Sequence, residues 1–436
     1  MNADEHRLNK TAKENLAIAV FVLLCGVICA KSVFAADDVK QEKPVARLTV
    51  NAGNVERVDT PVTVELPGGI SGAEIRLVEI RDGNRVPVPS QSEKNEKGKS
   101  LSWILSGKTP PAVKRVYEIE KGKTAEGPGI DINDNDAALE VLCGGNPVLR
   151  YKYGVEPPPA GKAADYAKSG FIHPVWSPAG QVLTQIHPED HIHHMGLWNA
   201  WTATEFEGRH VDFWNIRDKK GTVRFAKCLE KSKGPVFGGF KVLQEYVDLS
   251  APGGARIALN DNLEVRVWNI SGAGKGYWLF DWVSVQHCAS SSPLHLLQYR
   301  YGGLGFRATT EWGINNSDYL TSEGKTRKDG HTTRARWCAM TGKTSKGEAG
   351  LLMMTHPRNH EYPEPIRIWS EKDNNEGKIF FNFCPIQKKD IVMEQGKDYE
   401  FRYRICAYDG TMTKESAERL SADFATPPDV KLEMLR

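Results

Sequence analysis

Apolar and polar residues alternate with period two along most of this chain, and helical spacing is almost missing. Residues 60–67 (TPVTVELP), 75–80 (IRLVEI) and 114–120 (KRVYEIE) alternate in short runs, with Pro, Gly and Asn clustered between them. Beyond residue 137 the runs are longer and richer in aromatics, as at 196–206, 263–270, 277–285, 378–384 and 399–408. Helical period appears only at 163–169 and 414–424. Many strands joined by turns predict an all-β chain of antiparallel sheets, because parallel neighbours need long, usually helical crossovers. The expected organisation is a small β-sandwich over 46–122, a Gly/Asp/Asn-rich linker over 123–136 and a large antiparallel β-sandwich over 137–436.

The N-terminus reads as a targeting signal. Lys10 and Lys13 precede an uncharged apolar run at 16–30, too short for a comfortable bilayer span of roughly 20 residues. Val33 and Ala35 then form a small-x-small cleavage pattern. The expectation is a signal peptide over 1–35 and a periplasmic or secreted product, with no membrane segment after cleavage; an uncleaved membrane anchor is the alternative reading. Its removal leaves 53 basic against 52 acidic residues. So balanced a chain offers no electrostatic case for nucleic acid, which needs a basic surface. Six cysteines follow residue 35, none in a Cys-x-x-Cys pair. Cys338, Cys384 and Cys406 each sit in a strand-like run, where a cross-sheet disulfide or buried thiols are both open readings.

Several nucleotide and hydrolase signatures fail. Gly107-Lys108-Thr109 and Gly342-Lys343-Thr344 end like phosphate loops, but Ser102 and Trp337 stand where the earlier glycine is required. No Gly-x-Ser-x-Gly elbow is present.

Chemistry concentrates at 187–198 (HPEDHIHHMGLW): five of the twelve histidines fall between His173 and His194. If 190–194 is extended, His191 and His193 share one face, with Asp190 and His194 on the other; a turn at 188–190 would relax that limit. His-x-His on a strand suits a metal, and neutral imidazole suits proton transfer. Clustering alone decides between neither of these nor a structural role. A second polar patch, 356–361 (HPRNHE), follows a strand-like run and could bring His356 and Asn359 to the first. Trp198 and Trp214 lie close to polar motif residues and could offer faces to a sugar, although an indole is more often core. Arg307, in the glycine-rich 301–307 (YGGLGFR), could clamp a carboxylate or hydroxyl, or form a surface ion pair.

These segments in combination resemble a bacterial family known as PmoA-like. They are 171–174 (FIHP), 190–198 (DHIHHMGLW), 212–214 (DFW), 301–307 (YGGLGFR), 356–359 (HPRN), 402–404 (RYR) and 409–410 (DG), spanning roughly 146–410. Ile172 splits the first motif, and Met195 replaces an arginine of the family pattern. The resemblance implies export beside polysaccharide-degrading systems and a large sandwich similar to galactose mutarotase-like domains. The resulting expectation is a carbohydrate-active protein that processes a glycoside or polysaccharide fragment as hydrolase, lyase or epimerase. Its catalytic groups would be His193, His194 and His356. Substrate would meet His173, Asp190, Trp198, Trp214, Arg307 and Asn359. Two rivals stand beside it: a non-catalytic glycan-binding protein, and a mononuclear metal oxidoreductase holding a divalent metal on His191 and His193.

Overall fold

The computed structural model describes residues 43–70, 74–95, 98–125, 127–270, 276–373 and 376–435. The signal segment expected over 1–35 lies outside them. The alternating runs do form strands, all antiparallel, and the chain adopts the all-β class expected of it. Among the described residues no helix is long and apolar enough to cross a membrane.

The N-terminal strands form two small sheets. Ala46–Asn51, Lys114–Lys121, Ile75–Arg81 and Asn84–Val88 make most of one, and Arg57–Leu66, Gly98–Thr109 and Ser90–Asn95 make the other. Their inward residues, among them Leu48, Val62, Leu77, Trp103 and Tyr117, bury a common core. Two features differ from the expected boundaries. The last strand, Asp429–Met434, returns to pair with Ala46–Asn51, so the C-terminus belongs to the first sheet. The segment expected to be a linker contains a strand, Ile130–Asn135, paired with Ala138–Cys143. Its Ile130 and Ile132 alternate with Asp and Asn; the polar partners mask the period, but Ile130 is buried.

Two eight-stranded sheets face each other in the larger sandwich. The first runs in the order Ile366–Ile368, Phe380–Phe383, Gly303–Arg307, Leu197–Ala200, Phe171–Val175, Asn146–Lys152, Ala138–Cys143 and Ile130–Asn135. The second centres on Phe237–Asp248, Arg256–Trp268, Tyr277–Cys288 and Tyr399–Asp409. Aromatic pairs cross the gap: Tyr151 meets Phe240 with ring centroids at 4.9 Å, and Phe383 meets Tyr403 at 5.4 Å. The expected helix exists as Lys414–Ala425, capped by the Thr413 side chain accepting from the Ser416 amide. Ala417 and Leu420 bury against the outer face of the second sheet. Asp423 on this helix takes hydrogen bonds from Arg57 and Thr60 at 2.9 Å, tying the smaller sandwich to the larger. All six cysteines in the described residues are free thiols, so no cross-sheet disulfide forms.

Candidate functional site

The histidine cluster is not extended. Between the bridged residues Ile186 and Met195 the chain makes consecutive turns, closed by His191 N–H donating to Pro188 O (3.2 Å) and His194 N–H to His191 O (2.8 Å). Of the two conformations left open for 190–194, extended or turned, the chain takes the turned one. Pro188 supplies no backbone donor, and Gly196 holds φ +66° where a Cβ would lie 2.4 Å from Ile172 O. Folding, unlike extension, brings three imidazoles together. His191 stacks on His194 with centroids at 4.8 Å, and His193 meets His194 at 4.8 Å and His191 at 5.7 Å.

The loop stands on the first large sheet. Arg307 N–H donates to Gly196 O at 2.8 Å, and Gln185 N–H donates to Arg307 O at 3.1 Å. The Arg307 side chain is 1% exposed and reaches up to Asp190, where Nη2 lies 2.8 and 2.9 Å from the two carboxylate oxygens. Its guanidinium also lies 4.7 Å from the Trp369 ring centroid. Asp190 Oδ2 in turn sits 3.2 Å from His191 Nδ1. Burial works against the Asp190 carboxylate, but the His191 hydrogen bond and the Arg307 charge hold it well below the usual range. Arginine keeps its proton even when buried. A charged pair thus orients His191 through Nδ1, and its Nε2 has no protein partner among the described residues.

A cavity of about 340 Å³ opens beside this relay. Glu189, Asp190 and the three histidines form one wall; Trp214, Trp369, Phe380, Tyr166 and Tyr301 form the aromatic ones. Arg217, Arg300 and Arg367 complete it with Asn215. Trp214 lies over Gly305 so closely that a Cβ there would meet its ring at 2.7 Å, which explains a glycine in mid-strand. Asp212 fixes the 212–215 loop by accepting from the Trp214 and Asn215 amides at 2.8 and 2.9 Å.

Burial keeps two of the cavity histidines neutral. It pushes His193 down to about 3, helped by the nearby charges of His191 and Lys168. His194, 2% exposed and stacked on Phe380, is also held well below the usual imidazole range, by burial and then by His193. The Nδ1 of His194 has no hydrogen-bond partner. Both rings remain hydrogen-bonding groups without charge near neutral pH.

The expected site residues divide. Asp190, His191, His193, His194 and Trp214 line the cavity; Arg307 and Trp198 lie directly behind it, the latter 5.0 Å from the His194 ring. His173, His356 and Asn359 do not line it. The His173 ring bonds to the Thr184 hydroxyl at 2.8 Å, and burial pushes it down to about 4. His356 packs on Phe424 of the helix and accepts from the Arg358 amide at 3.1 Å. Asn359 clips the backbone of Arg402, donating to its carbonyl and accepting from its amide, both at 2.8 Å, and donates to the buried Glu364 at 3.3 Å. The roles expected of His356 and Asn359 are corrected accordingly: strand-end position put them on a loop, but on a loop beside the helix. Asn359→Ala should cost on the order of 2–4 kcal/mol, since it strips partners from buried groups. Urea unfolding checks this, and ligand affinity at the cavity should not move.

Sequence reasoning missed Arg300, Arg367, Trp369 and Lys168. Arg300 directly precedes the glycine-rich motif, and Arg367 and Trp369 bracket the end of a short strand, which is a faint signal at best. Lys168 is 3% exposed, its Nζ has no hydrogen-bond partner, and burial pushes it down to about 8 against the pull of Asp212. Among the described residues no three His, Cys, Asp or Glu side chains are grouped to hold a metal ion. The divalent site expected on His191 and His193 therefore lacks a third ligand of those types.

Three half-buried histidines set a pH dependence. His173, His193 and His356 have folded values near 4, 3 and 4, below the unfolded value of about 6.5. Their contribution to stability is complete above about 6.5 and is lost as pH falls toward 3. Glu364 opposes them: burial pushes it up to about 7, so its contribution grows as pH falls from 7 toward 4. The clean readout is therefore the ring itself. NMR resonances of His193 and His194 should not titrate between pH 8 and 5.

No curated protein matches this chain. Among solved structures, a protein in the glycosyl hydrolase family 38 from Enterococcus faecalis aligns at TM-score 0.45 and 10% identity, over 90% of this chain and 47% of that one. The heparan sulfate lyase HepC from Pedobacter heparinus aligns at TM-score 0.24 and 12% identity, over 67% and 38%. This chain thus matches less than half the length of either protein. A family model covers residues 138–422, which contain every residue of the cavity. The chain belongs to that family, described as a family of unknown function (DUF6807).

Proposed function

We propose that the cavity binds a carbohydrate and that the protein, exported as its N-terminus suggests, processes a glycoside or polysaccharide fragment. The observation that carries this reading is the Arg307–Asp190–His191 relay on the wall of an aromatic-lined cavity. A carboxylate that fixes one imidazole nitrogen and leaves the other free is the arrangement a general base or acid requires. His191 takes this role, where the sequence had favoured its neighbours. His193 and His194, held neutral, serve as hydrogen-bond partners for hydroxyl groups. Trp214 and Trp369 present apolar faces suited to the C–H face of a sugar ring. The volume, about 340 Å³, falls at the lower end of small-ligand sites, roughly 300–1,000 Å³.

A glycan-binding protein without turnover would use the same walls. The relay favours the enzyme, because it fixes one nitrogen of His191 and leaves the other free for proton transfer, which sugar binding alone does not require. Thermal-shift screening of the purified protein against plant and algal oligosaccharides tests the binding step. A stabilising oligosaccharide whose effect disappears in Trp214→Ala is expected; no stabilisation by any glycan would count against the reading.

A further inference from the structure

The cavity carries more positive charge than its own carboxylates use. Arg307 is spent on Asp190. Arg300 and Arg367 are not: among the described residues neither has a carboxylate within ion-pair distance. Each is held instead against Tyr301, with guanidinium carbons 5.6 and 5.2 Å from the ring centroid. Arg367 is half-buried, and burial, followed by the like charge of Arg300, makes its proton harder to hold. Two like charges held against one ring in a cavity wall repel each other, Asp373 acts on Arg367 without pairing with it, and a bound anion would relieve the repulsion that is left. Tyr301 is itself fixed, its hydroxyl donating to Asn215 Oδ1 at 3.1 Å, so the pair is presented on a rigid platform. Arg217 also lines the cavity, and its contact with Asp218, 3.6 Å between exposed groups, neutralises little.

We propose that Arg300 and Arg367 form an anion subsite, and that the carbohydrate this cavity takes is an acidic sugar bearing a carboxylate or sulfate. The inference rests on the carbohydrate reading for the sugar but not for the anion. Planar forks match the two oxygens of a carboxylate or sulfate edge, which a lysine could not do. The subsite lies on the same cavity wall system as His191, so the anionic group of a bound sugar would be set at a fixed place relative to the relay.

The test is tryptophan fluorescence titration, read through Trp214 and Trp369, with four probes: inorganic sulfate, galacturonate oligomers, glucuronate oligomers and their carboxyl-reduced neutral counterparts. Wild-type protein is expected to bind acidic over neutral oligomers by at least about tenfold, less strongly as salt rises. Arg300→Gln and Arg367→Gln should each lose about tenfold or more, and Arg367→Lys should recover only part of the loss. Circular dichroism confirms that each variant is folded. Sulfate binding that depends on both arginines, with no oligomer bound, would keep the anion subsite and remove the carbohydrate reading. Neutral oligomers bound as tightly as acidic ones, unchanged in both variants, would overturn the subsite and keep the carbohydrate reading. Absence of any binding would overturn both.

Discussion

Asp190→Ala is expected to destabilise the protein by about 3–5 kcal/mol, because it leaves a buried guanidinium without its only carboxylate. Arg307 is 1% exposed, and its Nε and Nη1 already lack partners, so nothing else can take up the charge. The loss should appear in denaturant unfolding as a lower midpoint at unchanged slope. Removing both charges is expected to cost less than removing one: Asp190→Ala with Arg307→Met replaces the pair by apolar volume beside Trp369. A loss within about 0.5 kcal/mol for Asp190→Ala would mean that the ion pair does not hold the histidine loop in place.

His191→Ala should behave in the opposite way. Its ring is partly exposed and makes one hydrogen bond, to Asp190, so stability should shift little. Turnover is expected to fall by about 10²–10⁴-fold, the usual worth of a positioned acid or base. His191→Gln tests the role more finely. An amide can keep the bond to Asp190 but cannot carry the proton, so folding and ligand affinity should survive while turnover does not. If His193→Ala costs more turnover than His191→Ala, the base lies on the wrong histidine in this account.

The β architecture was legible because period two is a direct imprint of a sheet with one buried face. Residues 60–67, 75–80 and 114–120 each lie almost wholly within a strand: Arg57–Leu66, Ile75–Arg81 and Lys114–Lys121. The pattern failed where polarity hid it, at Ile130–Asn135, and where pairing joins the chain's two ends, as with Asp429–Met434. No local period announces a partner almost four hundred residues away. The core of the site was also legible, since Asp190, His191, His193 and His194 are neighbours in sequence and Arg307 sits in a glycine-rich run. Local reasoning allowed a turn at 188–190 but could not choose between it and an extended segment. Alternation divides these side chains between two faces, whereas the folded loop packs all three rings within 5.7 Å. Arg300, Arg367 and Trp369 stayed hidden for a different reason: Arg300 lies just before one strand, Arg367 lies on another with Trp369 just after it, and only the tertiary fold brings them to one wall. The same distance in sequence misplaced His356 and Asn359, whose loop faces the C-terminal helix.

The Arg307–Asp190–His191 relay is proposed to perform chemistry on a bound glycan. Mass spectrometry of plant and algal oligosaccharides, incubated with wild-type protein and with His191→Ala in parallel, tests it most directly. New product masses or isomers with the wild type, reduced at least a hundredfold with His191→Ala, are the expected result. Oligosaccharides that bind both proteins and return unchanged from both would contradict it, and would leave a glycan-binding protein in its place.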